Sequence, residues 1–261
     1  MSAHLAPPGL RAVAQPEILT ALGAAAELGM FFRLADPARE AVGWRPAGLL
    51  YAAGTDHLDR LLAAVRATLG GCEPRVAASL FFQGYAARLL SPSLACLATN
   101  GCVPDLPASR LAWRHPGDQV IELGSPAGAG WAGDARPVIE HLVATSFGEH
   151  LTPLAGALRL RVRVAPGMLR GNAASALVGA LRLLSGPIGP RWRALAAHAL
   201  AQPDLRGTMR ACDPAGDPAC DPACDPACDP VFVRRSCCLY YRVEGGGLCA
   251  DCPLPGRSRT S

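Results

Sequence analysis

The chain has 261 residues, half of them hydrophobic, which is enough for one large core or two small ones. Its net charge is +4 and all 25 basic residues are Arg, a bias of the kind GC-rich codons produce, so no single Arg carries a functional argument alone. No basic run is dense enough for nucleic acid, no stretch reaches the roughly 18 unbroken apolar residues of a membrane span, and the N-terminal stretch lacks the charged start and apolar core of a secretory signal. A soluble, cytoplasmic protein is expected. In a reducing compartment, clustered cysteines read as metal ligands or redox groups before disulfides.

Pro16–Leu34 has apolar residues at Ile18, Leu19, Leu22, Ala25, Leu28 and Phe31, the spacing of an amphipathic helix. Thr55–Leu69 predicts another, with Asp56 as a cap and Gly70-Gly71 as its stop. Pro74–Leu90 is a strongly apolar helix at the centre of the core, and Pro92 predicts a kink or break before it resumes over Leu94–Thr99. Then the period changes: Leu111–Trp113 and Gln119–Leu123, separated by Pro116-Gly117-Asp118, predict a β-hairpin. Helices return at Pro137–Leu158, Asn172–Leu184 and Pro190–Ala201, while Arg159–Val164 reads as an edge strand or a helix end. The fold class is α+β, a mainly helical body with a small antiparallel sheet.

Ala211–Pro230 differs in kind. It repeats X-Asp-Pro-Ala, with X being Cys212, Gly216, Cys220, Cys224 and Cys228. Its five Asp and absence of basic residues leave the rest of the chain more basic than the total. A Pro at every fourth position forbids a continuous helix, so the i, i+4 cysteines do not align on one face. The tract predicts a flexible low-complexity linker whose cysteines are not ligands. The division expected is a helical body over 1–210, the linker over 211–230 and a cysteine-rich segment over 231–261. In that last part, 231–233 and 239–241 read as strands and Gly245–Gly247 as a turn.

Eight of the eleven cysteines lie between Cys212 and Cys252. The informative group is Cys237-Cys238, ten residues, Cys249, two residues, Cys252. Cys249-x-x-Cys252 is a loop that aims two thiolates at one metal. Vicinal cysteines on an extended backbone point apart, so the chain must bend at Cys237-Cys238 for both to serve one centre. The Gly245–Gly247 run would let backbone N–H groups approach sulfur. A structural zinc site favours two Cys-x2–4-Cys knuckles, which the adjacent pair does not supply. A [2Fe–2S] cluster, with two thiolates on each iron, tolerates the layout. Zinc stays open as the alternative. Cys72, Cys96 and Cys102 are scattered and read as buried small apolar residues. No His pair has ligand spacing, and Glu149-His150, adjacent on a helix, do not face each other. No dinucleotide, P-loop or nucleophile-elbow motif occurs.

The stretch "CCLYYRVEGGGLCADC" resembles the C-terminal motif of the FhuF-type ferric siderophore reductases, C-C-x10-C-x2-C, in the identity and spacing of all four cysteines. "LFFQGYAARLLSP" (Leu80–Pro92) and "RGNAASAL" (Arg170–Leu177) are similar to body segments of that family. Two features depart from it: the Asp-Pro-Ala-Cys repeat, and Arg170 where the resemblance implies an aromatic residue. The resemblance implies a [2Fe–2S] cluster on Cys237, Cys238, Cys249 and Cys252, and one-electron reduction of a cytoplasmic ferric siderophore, of the hydroxamate type, with release of Fe(II). It assigns no catalytic residue in the body. Electrons would come from an external donor such as a ferredoxin or a flavin reductase. Arg234, Arg235 and Arg242 flank the ligands and are expected to raise the cluster potential and to help dock a partner. The alternatives are a zinc-stabilised binding protein without a redox role, and an iron–sulfur sensor or accessory protein of siderophore uptake.

Overall fold

The computed structural model describes residues 6–39, 42–115, 121–126, 128–211 and 232–254. Strand β1 (Leu10–Val13) leads into helix α1 (Gln15–Glu27), which has Pro16 in its first turn, where a missing N–H costs little. The apolar spacing continues to Leu34, but the helix stops early. Gly29 sits at φ 131, and Met30–Phe32 form a 3-10 turn instead. After β2 (Arg45–Pro46) and the single turn α2 (Gly48–Tyr51), helix α3 (His57–Thr68) buries Leu58, Leu61, Leu62 and Val65. Gly70 and Gly71, both at positive φ, end it as expected. Asp56 does not cap it; its carboxylate holds Arg60 instead.

Helix α4 (Pro74–Asn100) is the centre of the body and packs against α1, α3 and later helices. It is apolar nearly all round, as a fully enclosed helix must be. Pro92 neither breaks nor interrupts it. A proline removes one backbone donor and costs about 3 kcal/mol in a helix interior. Here Ser91–Leu97 are all buried, so tertiary packing holds the helix through the defect.

Short strands follow: β3 (Cys102–Pro104), β4 (Ala112–Arg114), β5 (Glu122–Gly124) and β6 (Gly130–Gly133). β4 and β5 form the expected antiparallel hairpin with Trp113 opposite Leu123, and β2 extends it. The turn predicted at Pro116-Gly117-Asp118 lies outside the described residues. A second sheet, absent from the sequence reading, has β6 between β1 and β3, all antiparallel.

The helix expected over Pro137–Leu158 is α5 (Ala135–Ser146), a π-helical turn (Phe147–Leu151) and α6 (Thr152–Arg161) in succession. The alternation at Arg159–Val164 is a helix end, with Val162 extended. Helix α7 (Pro166–Leu183), the short α8 (Ser185–Ile188) and α9 (Arg191–Leu200) complete the body, and α7 packs along α4. β7 (Met209–Ala211) pairs antiparallel with β8 (Phe232–Arg234), Ala211 opposite Phe232. The predicted tract of repeats lies outside the described residues, but its flanks are neighbours in one hairpin. The strand expected at Leu239–Tyr241 is a 3-10 turn, Tyr240–Arg242. Among the described residues no helix is long and apolar enough to cross a membrane.

The π-helical turn places His150 in the interior, 1 % exposed, while Glu149 turns outward to accept the N–H of Ala108. His150 Nε2 donates to the carbonyl of Leu106 at 2.8 Å, so Nδ1 accepts from the Tyr51 hydroxyl at 3.1 Å, which also bonds Tyr85. The void beside this network is about 10 Å³, room for no more than a single water. Its role is therefore packing and polar satisfaction. Burial holds His150, and His141 nearby, below the ordinary imidazole range. A depressed histidine stabilises the fold fully above its unfolded value of about 6.5, and that stability is lost as pH falls below it. Thermal unfolding should thus fall in temperature between about pH 6.5 and 5. His150→Asn should flatten part of that slope, the remainder belonging to His141. An unchanged slope in the variant would remove His150 from the account.

Candidate metal centre

β8 delivers Arg234 into the core at the point where the chain turns toward its cysteines. Arg234 is 1 % exposed. Its Nη1 donates to Asn172 Oδ1 at 3.0 Å, and Nη2 lies 3.0 Å from Asp251 Oδ1. The Arg234 N–H also donates to the Asp251 carbonyl, so the two ends of the cysteine segment are tied together. Asn172, on α7, donates from Nδ2 to both the carbonyl and the hydroxyl of Ser79 on α4. Ser79 Oγ in turn donates to the carbonyl of Cys238 at 2.8 Å. A closed polar network thus seats the cysteine segment on the two longest helices. Ser79, Asn172 and Arg234 Nη1 are all paired, with partners far away in sequence, and such buried polar pairing favours one arrangement. Gly171 lets the segment approach α7, because a Cβ there would lie 2.4 Å from Ser236 Oγ.

The bend required at the vicinal cysteines is present. Leu239 has φ 69, the one non-glycine residue at positive φ among those described. This left-handed turn points the Leu239 N–H at Cys237 Sγ, 3.3 Å away, and the Tyr240 N–H at Cys238. The N–H groups that reach sulfur therefore come from the residues after the cysteine pair, and not from Gly245–Gly247. In that run Gly245 takes φ 70, while Gly246 donates to the Val243 carbonyl and lies so close to the Tyr240 carbonyl that a Cβ would sit 2.3 Å from it. The Cys252 N–H bonds the Cys249 carbonyl, closing the CxxC turn.

Cys238 Sγ and Cys249 Sγ are 3.1 Å apart, and Cys237 and Cys252 are near enough for their charges to interact. The hydrogen bond with Cys249 draws the Cys238 thiol down to about 5, against its burial and with help from the Arg234 cation. Cys249 is pushed up in return, because it keeps the shared proton. Burial pushes Cys237 up, partly offset by the Leu239 N–H. Burial alone would lower the Arg234 pKa, yet Asp251 and the Cys238 and Cys249 sulfurs raise it overall. Its Nε is buried without a hydrogen-bond acceptor.

This donor set fits a sulfur-rich anionic group. The seat offers a fixed cation, an unanswered buried N–H and two backbone N–H groups directed at sulfur. Cys238 and Cys249 meet as one pair of sulfurs, and among the described residues no group of three His, Cys, Asp or Glu is arranged to hold a metal ion. A single tetrahedral ion needs four ligands about one centre, whereas a two-iron cluster needs two at each.

The other sequence candidates are elsewhere. Cys96 and Cys102 are buried, and burial pushes Cys96 up to about 12, as expected of packing residues. Cys72 is only half-buried. The three flanking arginines divide: Arg234 is in the seat, Arg242 is paired with Glu73 at 2.6 Å, and Arg235 is exposed. Sequence alone assigns Ser79, Asn172 and Asp251 no part in the site. The available signal was a lone Ser and a lone Asn on otherwise apolar helical faces, positions that require a partner.

Residues 234–254 match the family model of the FhuF 2Fe-2S C-terminal domain, a span that runs from the buried arginine to just past the last cysteine. The resemblance read in the cysteine motif is thereby confirmed, together with its [2Fe–2S] cluster. No curated protein matches the chain.

Proposed function

We propose, from an FhuF-type 2Fe-2S segment seated on a helical body, that this chain reduces ferric siderophores of the hydroxamate type in the cytoplasm by single electrons, with Cys237, Cys238, Cys249 and Cys252 holding the cluster. The carrying observation is the 3.1 Å approach of the Cys238 and Cys249 sulfurs beside the buried Arg234 cation. When bound, such a cluster supplies a one-electron store. The chain's own groups do the rest. Arg234 offsets the negative charge of the thiolates, and the Leu239 and Tyr240 N–H groups favour the thiolate forms of Cys237 and Cys238, at Cys237 against the larger opposing effect of burial. Hard hydroxamate oxygens hold Fe(III) tightly and Fe(II) much less well, so one electron frees the metal. The sequence has no dinucleotide motif, so the electron comes from a separate donor protein of the ferredoxin or flavin-reductase kind.

Anaerobic purification with iron and acid-labile sulfide counts, absorption and EPR spectra tests the cluster. Mixing the reduced protein with a ferric trihydroxamate and an Fe(II) trap tests the reaction. Zinc without sulfide would overturn the reading in favour of a zinc-stabilised binding protein. A cluster that leaves ferric hydroxamates untouched would favour a sensor.

Cys212, Cys220, Cys224 and Cys228 stand outside the proposed ligand set. Because Ala211 and Phe232 are opposite one another in β7–β8, residues 212–231 can be replaced by a short turn. Iron and sulfide content should be unchanged, and unfolding free energy should rise by roughly 1 to 1.5 kcal/mol, from about two halvings of the connection's length. Loss of iron in that variant would make the tract cysteines part of the site.

A further inference from the structure

We propose that the groove beside Cys237 is the docking site of the ferric chelate, and that Arg170 and Arg235 are the cations that recognise it; this rests on the reductase reading above. The groove has a volume of about 390 Å³ and runs between the start of α7 and the vicinal cysteines. That is the size of a small-molecule pocket, whereas a donor protein needs a broad, flat contact of about 800 Å². Met168 and Leu239 give it apolar walls, Arg170 and Arg235 line it, and no acidic residue does.

Three observations converge there. First, Cys238 and Cys252 are buried at 1 % and 5 %, Cys237 and Cys249 are half-buried, and Cys237 is the one cysteine of the group that lines the groove. An acceptor seated in it therefore lies against a cluster ligand with no intervening side chain. Second, neither Arg170 nor Arg235 has an acidic partner among the described residues, in contrast to Arg234 with Asp251 and Arg242 with Glu73. Third, both guanidiniums stand at the solvent side, where they can donate to oxygens without an uncompensated desolvation cost. The ligand chemistry that answers two unpaired guanidiniums is a compact chelate with negative or strongly polarised oxygens on its outer face, as the metal-bound oxygens of a hydroxamate chelate are.

The test uses the loaded full-length protein and the gallium(III) complex of a linear trihydroxamate, which has the shape of the ferric chelate but takes no electron. Calorimetry should give saturable wild-type binding. Arg170→Glu and Arg235→Glu should each raise the dissociation constant about tenfold or more. Their iron and sulfide content and absorption spectra should stay as in wild type, and in the reductase assay they should raise KM with little effect on kcat. Arg182→Glu, at the far end of α7, is the control for net charge and should bind as wild type. Equal binding by the Arg170→Glu/Arg235→Glu double variant, an equal loss in the control, or no binding by wild type would overturn the groove assignment. Arginine-dependent gallium binding without any ferric reduction would overturn the reductase reading and leave the groove standing. Undiminished reduction with unaltered binding would do the reverse.

Discussion

Replacing Arg234 by methionine will lower the unfolding free energy of the unloaded protein by about 3 kcal/mol, the low end of the range for breaking a buried ion pair. The low end applies because Asp251 keeps 18 % of its side chain exposed and water can take over part of the lost contact. Asn172 Oδ1 has no such recourse: Asn172 is 0 % exposed and would lose its donor in the core. For a chain of this size the shift in Tm is about 6–10 °C. Arg234→Lys keeps the charge but cannot bridge Asn172, Asp251 and the sulfurs together, so it recovers only part of the stability. The loaded protein gives an independent reading. Removing a fixed cation beside the thiolates favours the oxidised cluster, so the midpoint potential falls in Arg234→Met and returns toward wild type in Arg234→Lys. A methionine variant with wild-type Tm and potential would show that the guanidinium is a bystander.

Serine at Cys237, Cys238, Cys249 or Cys252, one at a time, will bring iron and acid-labile sulfide near background. A hydroxyl keeps the size of the thiol but gives up the soft thiolate that iron–sulfur clusters require. The loss should be felt at each position, because a cluster with two thiolates per iron has no spare ligand. The fold should respond unevenly. Cys238 is buried and its carbonyl is held by Ser79, so Cys238→Ser also disturbs a packed site, while half-buried Cys237 tolerates the change. Cys96→Ser is the matched control: 0 % exposed in α4, it should lower Tm and leave the iron count intact. Full iron loading in any of the four variants would exclude that cysteine from the ligand set.

Periodicity located most of the body. α3, α4 and α9 fall where apolar spacing put them, and α7 ends where expected but begins six residues earlier, at Pro166. Pro92 misled because a local rule was outweighed by burial on every side of α4, which no window of sequence displays. The sheet of β1, β6 and β3 was invisible because its strands are three or four residues long and β6 is Gly-Trp-Ala-Gly, with no alternation to count. In the site, the cysteine spacing was legible because it is local. The supports were not: Ser79 meets Cys238 across 159 residues, and Asn172 meets Arg234 across 62. The flanking arginines looked alike in sequence, and only tertiary structure separates the one in the core from the one paired to Glu73 and the one beside the groove.

The pairing of Ala211 with Phe232 also bears on how this gene changes over time. A tract whose two ends are pinned side by side can gain or lose a repeat unit without moving either end. Closure entropy of a flexible loop changes by only about 0.6 kcal/mol for each doubling of length, so one unit more or fewer is nearly neutral for the fold. Copy number of the Cys-Asp-Pro-Ala unit should therefore drift among close relatives, while the number of residues between Cys238 and Cys249 stays fixed.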